Sequence, residues 1–75
     1  MIKIADRPFD FLDQAIGKQV LVNLKEGKSV RGKLEAFDQH MNLAISNATE
    51  LEEGEKKQKI GRVILRGDNI FYIST

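Results

Sequence analysis

The hydrophobic period changes once along this chain, at Gly17, and that single change bounds the folds open to it. Upstream, Phe9, Leu12 and Ile16 recur at helical spacing, and Phe11 with Ala15 widens the stripe. Downstream, apolar and polar residues alternate in short runs broken by Gly, Asp and Asn, the pattern of strands and turns. One short helix followed by strands is the expected order, and the fold class is mostly β.

The helix is predicted over residues 7–16. Asp6 can cap its first free amides, Pro8 is tolerated in the first turn, where its missing N–H is not needed, and Gly17 is a natural stop. Residues 1–5 read as a short, loosely held arm. The first strand is Gln19–Leu24, and Lys25-Glu26-Gly27-Lys28 is a hairpin turn in which Gly27 supplies the positive φ. From Ser29 to Phe37, Val30, Leu34 and Ala36 face one way, and Arg31, Lys33 and Glu35 face the other. Gly32 interrupts the inward row. A glycine there marks a bulge or sharp bend, and such bends let a short sheet curl into a small barrel. The alternation shifts phase at Asp38-Gln39. Met41, Leu43 and Ile45 then form the inward row of a third strand that continues through Ala48 and Leu51. Glu50 to Lys59 is charged and contains Gly54, so it is predicted to be a solvated hairpin tip. A fourth strand over Ile60–Leu65, a turn at Arg66-Gly67-Asp68 and a fifth strand over Asn69–Ile73 complete the chain.

The last two strands place apolar groups on both faces, which calls for cover on both sides. An open five-stranded sheet also has two bare edges. Pairing between copies satisfies both needs, and a head-to-tail pairing whose rotation closes gives a ring. A closed monomeric barrel is the other solution. With 75 residues the chain is one domain, small enough that disulfides, metals or oligomerisation usually support such a fold. It has no cysteine and one histidine, which removes disulfides, thiolate sites and multi-histidine metal sites; no metal or cofactor is expected. Twelve basic against 11 acidic residues give a net charge of +1, which excludes a polybasic tail or general polyelectrolyte binder. No apolar run is long enough to span a bilayer, and the N-terminus lacks the apolar core of a signal peptide. A cytoplasmic protein with no membrane partner is the expectation.

Two stretches then match a known family. Val22-x-Leu24-x-x-Gly27 with Gly32-x-Leu34-x-x-Phe37-Asp38-x-His40-Met41-Asn42-Leu43 resembles the first Sm motif, and Ile64-Leu65-Arg66-Gly67-Asp68-Asn69-Ile70 resembles the second. Both occur in the family's order, and the resemblance runs from Arg7-Pro8 to Ile73. Length and motif details look most like the archaeal Sm-like (LSm) proteins. The resemblance implies a single Sm-like domain over residues 1–75, with the first motif over 19–52, a variable loop over 53–58 and the second motif over 59–74. It implies an N-terminal helix on a strongly bent five-stranded antiparallel sheet, an open barrel. It further implies a homo-oligomeric ring, a heptamer in preference to a hexamer, in which the fourth strand of one copy pairs with the fifth of the next. Family members bind uridine-rich single-stranded RNA around the central pore and act as RNA chaperones or scaffolds in RNA processing or decay, alongside RNA-processing proteins. They are not enzymes.

In this framework one base fits between the two connections. RNA readers stack an unpaired base on flat side chains and read its edge. His40 and the planar guanidinium of Arg66 can form the sandwich, and lysine would not replace arginine there. Asn42, two residues beyond His40, offers one donor and one acceptor to the N3–H and O4 of uracil, but an unconstrained amide could flip to suit cytosine. Asp68 is expected to hold one N–H of Asn42 and so fix the amide, and the backbone N–H of Gly67 is also placed at the base. Asp38 is expected to be structural, accepting backbone hydrogen bonds in its own turn. Gly67 is expected to be required first for turn geometry. Arg7, at the helix start, and Phe37 are secondary RNA-contact candidates, weighed against capping and packing roles. Repetition of a weak pocket around a ring raises effective concentration for successive bases, with a shallower salt dependence than a basic groove. The competing reading is an oligomeric protein-interaction scaffold with no direct RNA role. Its expected signature is an exposed aromatic groove, and the chain has four phenylalanines, one tyrosine and no tryptophan. Arg66-Gly67-Asp68 also spells an integrin-binding tripeptide, which would need an extracellular loop. An enzyme is disfavoured: there is no nucleophile with a base at motif spacing and no phosphate-binding glycine loop.

Overall fold

A computed structural model of the chain describes residues 7–53 and 55–75. The helix α1 (Arg7–Ala15) precedes β1 (Gln19–Leu24), β2 (Lys28–Phe37), β3 (Leu43–Glu52), β4 (Glu55–Leu65) and β5 (Ile70–Ser74). All five strands form one antiparallel sheet in the order β4-β3-β2-β1-β5, so β4 and β5 are its two edges. The predicted arm over residues 1–5, the Asp6 cap and Gly54 lie outside the described residues. No helix among the described residues is long and apolar enough to cross a membrane.

The helix stops one residue earlier than the periodicity predicts. Gly17 takes a φ of 83° after it, and the Gly17 N–H donates to the Leu34 carbonyl at 2.8 Å while the Leu34 N–H donates to Lys18 at 3.0 Å. The end of α1 is thus tied to the middle of β2. The predicted five-residue stripe is narrower in the fold: only Leu12 and Ala15 are buried, while Phe9, Phe11 and Ile16 remain partly exposed. The helix touches the sheet along one line, and one line has room for an i, i+3 pair.

The core joins Leu12 and Ala15 to Val20, Val22 and Leu24 of β1, Val30 and Leu34 of β2, and Leu43, Ile45 and Ala48 of β3. Each solvent-free Leu, Ile or Val contributes about 1.5–3 kcal/mol, and no polar side chain is buried among the described residues to offset it. Gly32 is where the bend is made. A Cβ there would stand 2.5 Å from Ile45 Cγ2 and 2.8 Å from the Ser46 carbonyl oxygen, so β2 and β3 cross closer than any other residue permits. The register accommodates the bend with an extra β3 residue: Arg31 pairs with Thr49 but Lys33 with Ser46, and Asn47, at φ 50°, absorbs it. A second irregularity lies between Leu34, paired with Ile45, and Ala36, paired with Ala44. It turns Ala36 out of the inward row, and Ala36 is exposed where alternation predicts it inside.

The charged stretch from Glu50 to Lys59 is not a loop. β3 runs to Glu52 and β4 starts at Glu55, five residues before Ile60. Cross-strand pairing holds it: Glu50 lies opposite Gln58, whose side chain donates to the Glu50 carboxylate at 3.1 Å. Long polar side chains are compatible with a strand whose faces are wet, and propensity alone does not register that. At the other end, residues Gly67–Asn69 form a 3-10 turn, so β5 begins at Ile70. The two-faced character of the edge strands is present. Ile60, Val63, Leu65, Ile70 and Ile73 pack on the core, whereas Ile64 is 74% and Phe71 73% exposed on opposite edges of the sheet.

Candidate functional site

The β2–β3 connection is organised by one carboxylate. Asp38 Oδ1 accepts the backbone N–H groups of His40 at 2.9 Å and Asn42 at 3.0 Å, and the Met41 N–H donates to the Asp38 carbonyl at 2.9 Å. The connection is tight enough that Met41 sits at φ 64°, a conformation L residues rarely adopt, with its side chain packed against the core. Asp38 Oδ2 in turn accepts Nδ2 of Asn42 at 3.1 Å. The backbone N–H of Asn42, then its side-chain amide, then the N–H and charge of His40 hold the Asp38 carboxyl below the ordinary carboxylate value.

The β4–β5 connection meets it from the opposite edge. The Asn69 N–H donates to the Arg66 carbonyl at 3.0 Å, closing the turn. The Gly67 N–H points across the gap and donates to Oδ1 of Asn42 at 2.8 Å, joining connections 25 residues apart. The contact is so close that a Cβ on Gly67 would lie 2.1 Å from the His40 carbonyl oxygen. Gly67 is therefore required by the approach of another backbone. Its φ lies outside the left-handed region, so the turn itself does not demand glycine. Beyond the junction an open cleft of about 380 Å³ is lined by His40, Asn42, Arg66 and Asp68.

The fold thus brings together all five residues named from sequence for this place: His40, Asn42, Arg66, Gly67 and Asp68. It reassigns two of the links between them. Asp68 does not hold the Asn42 amide; its Oδ2 lies 3.3 Å from Arg66 Nη2, in an ion pair with side chains 79% and 71% exposed. Asp38 holds the amide instead. A signal for this was present: an aspartate four residues before the asparagine, within one tight turn, can reach both its backbone and its side chain. Phe37 stacks on Phe9, ring centroids 6.2 Å apart and 13° from parallel, and packs against the core. Arg7 is the first residue of α1, away in sequence from both connections.

Chemically, the consequence falls on Asn42. A carboxylate can only accept, so Asp38 must face the amide nitrogen; a backbone N–H can only donate, so Gly67 must face the amide oxygen. Both contacts specify one orientation. One hydrogen on Nδ2 and one lone pair on Oδ1 are left over, side by side, beside the cleft. No group of three or more metal-ligating side chains occurs among the described residues.

Fold and cleft define a class: a helix followed by a strongly bent five-stranded antiparallel sheet, two of whose connections join to present an amide held in one orientation in a cleft lined also by an imidazole and a guanidinium. The LSM domain profile matches residues 10–75. An snRNP Sm-like protein of Methanosarcina barkeri is 48% identical over 71 residues, which are 95% of this chain and 99% of that one. The Sm protein of Pyrococcus abyssii, solved in complex with a uridine heptamer, superposes with a TM-score of 0.87 at 38% identity, covering 91% of this chain and 96% of that one. A heptameric archaeal Sm protein superposes with a TM-score of 0.80 at 43% identity, covering 87% and 94%. The chain belongs to the LSM domain family of Sm-like proteins.

Proposed function

We propose that this chain assembles into a seven-membered ring and binds uridine-rich single-stranded RNA, one base per subunit, in the cleft between its two connections. The fixed amide of Asn42 carries the reading. Its remaining Oδ1 lone pair accepts N3–H of uracil and its remaining Nδ2 hydrogen is given to O4. Cytosine presents the inverse pattern, an acceptor at N3 and a donor at N4. Accommodating it by an amide flip would put Oδ1 against the Asp38 carboxylate and Nδ2 against the Gly67 N–H. Discrimination of this bidentate kind is worth about 1–3 kcal/mol per base. His40 and Arg66 would close on the two faces of the base, at about 1–3 kcal/mol per stacked base. In this reading Asp68 holds the exposed guanidinium of Arg66 in place until a base arrives.

The uridine heptamer on one structural relative and the heptameric assembly of another support the ring and the ligand. The sheet's own edges support the ring as well, since β4 and β5 are both terminal strands with large apolar side chains in water. The role is that of a chaperone or scaffold for RNA in the cytoplasm, without catalysis. Native mass spectrometry of the purified protein with oligouridine or oligocytidine tests the whole reading. A ring that takes up oligouridine preferentially, with uptake lost in Arg66→Ala while the ring persists, is the expected result. A ring that takes up both oligomers equally, or neither, refutes it.

A further inference from the structure

The Asn42 amide, as the fold holds it, reads less than a whole base. Asp38 Oδ2 accepts one Nδ2 hydrogen at 3.1 Å, and the Gly67 N–H occupies one Oδ1 lone pair at 2.8 Å. What remains is one donor beside one acceptor. Such a pair recognises a ring N–H next to a ring carbonyl, the lactam edge. Uracil carries that edge at N3 and O4. Hypoxanthine, the base of inosine, carries it at N1 and O6. Cytosine and adenine carry the reverse, a bare ring nitrogen next to an amino group. The amide is therefore blind to whether the base is a pyrimidine or a purine, and it sorts bases by one chemical difference.

Ring size is a weaker filter than the edge. The cleft of about 380 Å³ is open, and two of the side chains that line it, Arg66 and Asp68, are largely exposed. A second ring then moves the sugar outward and leaves the edge where it is. Stacking between His40 and Arg66 asks only for a π face, and a purine offers a wider one. By contrast, a site that hydrogen-bonds an N–H strongly rejects an analogue lacking it, because its own polar groups are left unpaired. The position beside the edge separates the two lactam purines. Guanine adds an amino group next to its N1–H, on the Oδ1 side of the amide. The Gly67 N–H approaches Oδ1 from that side, so guanine sets donor against donor. The two connections are packed too closely to shift, since a Cβ on Gly67 would stand 2.1 Å from the His40 carbonyl oxygen. Hypoxanthine has only a C–H at this position, and uracil has a carbonyl oxygen.

We propose that the cleft is a reader of the lactam edge, taking inosine as it takes uridine and rejecting adenosine as it rejects cytidine; the proposal rests on the base-binding role given to the cleft above. Its specificity-determining residues are Asp38 and Gly67, which act through Asn42. The class of reaction that converts a rejected base into an accepted one is then hydrolytic deamination, carried out elsewhere. Water adds its oxygen at the amino-bearing ring carbon, ammonia leaves, and the neighbouring ring nitrogen gains a proton. Cytidine becomes uridine and adenosine becomes inosine by that same change, and each product presents the edge that Asn42 is held to receive.

The test uses the assembled protein and short labelled RNAs of equal length, read by fluorescence anisotropy. They are oligouridine, oligocytidine, and oligouridine whose central positions are replaced by inosine, by adenosine or by 1-methylinosine. Inosine and adenosine have nearly the same outline and differ in the edge. The third base keeps the rings of inosine and puts a methyl group where N1–H was. The inosine RNA is expected to bind within about threefold of oligouridine, because stacking and edge are both kept. The adenosine and 1-methylinosine RNAs should bind about tenfold or more weakly. In Asp38→Asn the preference for inosine over adenosine should fall by about fivefold, in step with that for uridine over cytidine. Equal affinity for the inosine and adenosine RNAs overturns the proposal, since ring size or stacking then decides and the edge does not. If oligouridine is still preferred over oligocytidine in that case, the uracil reading stands and only its extension to inosine fails. Loss of the preference for oligouridine over oligocytidine overturns both.

Discussion

Gly67→Ala is the substitution on which the site geometry makes its sharpest statement. The backbone of Gly67 is outside the left-handed region, so alanine fits the turn locally. Taken alone the change would stabilise by about 0.4–1 kcal/mol, by restricting the unfolded chain. Any loss must come from across the gap. The new Cβ would stand 2.1 Å from the His40 carbonyl oxygen and 3.1 Å from the carbonyl carbon and oxygen of Met41. All are backbone atoms, in a connection already pinned by Asp38. Ordinary van der Waals separation requires the two connections to part by roughly 1 Å. That carries the 2.8 Å bond from Gly67 N–H to Asn42 Oδ1 out of hydrogen-bonding range. Losing the bond costs about 1 kcal/mol, and forcing the extra carbon in costs about 1–3 kcal/mol. Net destabilisation of about 1–3 kcal/mol is expected in urea unfolding followed by circular dichroism, at fixed protein concentration because an oligomer's stability depends on it. Oligouridine affinity, read by fluorescence anisotropy, should fall by about tenfold or more as Arg66 and Asn42 lose their common base. Gly61→Ala is the control, since φ is +76° there and a Cβ meets nothing within 4 Å. It should lose stability through strain and keep RNA affinity. If Gly67→Ala is as stable as the wild type and binds oligouridine equally well, the close approach and the reasoning built on it are wrong.

Two further outcomes follow from the Asp38–Asn42–Gly67 chain. Asp38→Asn keeps the side-chain shape but offers an amide that can donate to a flipped Asn42, so one of the two contacts that fix the amide is lost while the Gly67 N–H still favours the uracil orientation; uridine affinity should fall by less than about twofold per site. Selectivity over cytidine should drop by about fivefold in competition anisotropy, the effect of one lost contact of about 1 kcal/mol, and a parallel loss for both nucleotides would contradict the lock. The pH dependence has a definite sign. The Asp38 carboxyl titrates below its ordinary value of 3.8, so the stabilisation it gives its turn is complete above that pH and disappears only as the pH falls further, through the lowered value. The NMR shift of the Asp38 carboxyl carbon should stay constant down to that point and move below it; a midpoint above 3.8 would refute the assignment.

Much of the fold is legible along the chain because its signals are local. The period switch at Gly17, the turn at Gly27 and the alternation around Gly32 each depend on residues a few positions apart, and the structure holds a helix and strands at those places. The misreadings share a cause. Ala36 obeys the alternation in sequence but is turned out by a register shift against β3. Phe9, Phe11 and Ile16 complete a helical stripe, yet the sheet offers the helix only one line of contact. The charged residues after Glu50 look like a loop until a partner strand is placed beside them. Each outcome is set by what lies across a strand or under a helix, and no local window contains that information.

The sequence by itself determined which side chains could do chemistry: one imidazole, one guanidinium, an amide two residues from the imidazole, and a glycine-containing turn, on two connections of a mostly-β chain. Tertiary structure alone decided how they are wired. Bending the sheet at Gly32 closes the β2–β3 and β4–β5 connections on each other. Only then does a backbone N–H reach the Asn42 oxygen, leaving its nitrogen to Asp38 and Asp68 to Arg66. Hydrogen bonds of about 3 Å between residues 25 apart depend on the path of the whole sheet, whereas periodicity and residue type depend on the chain alone.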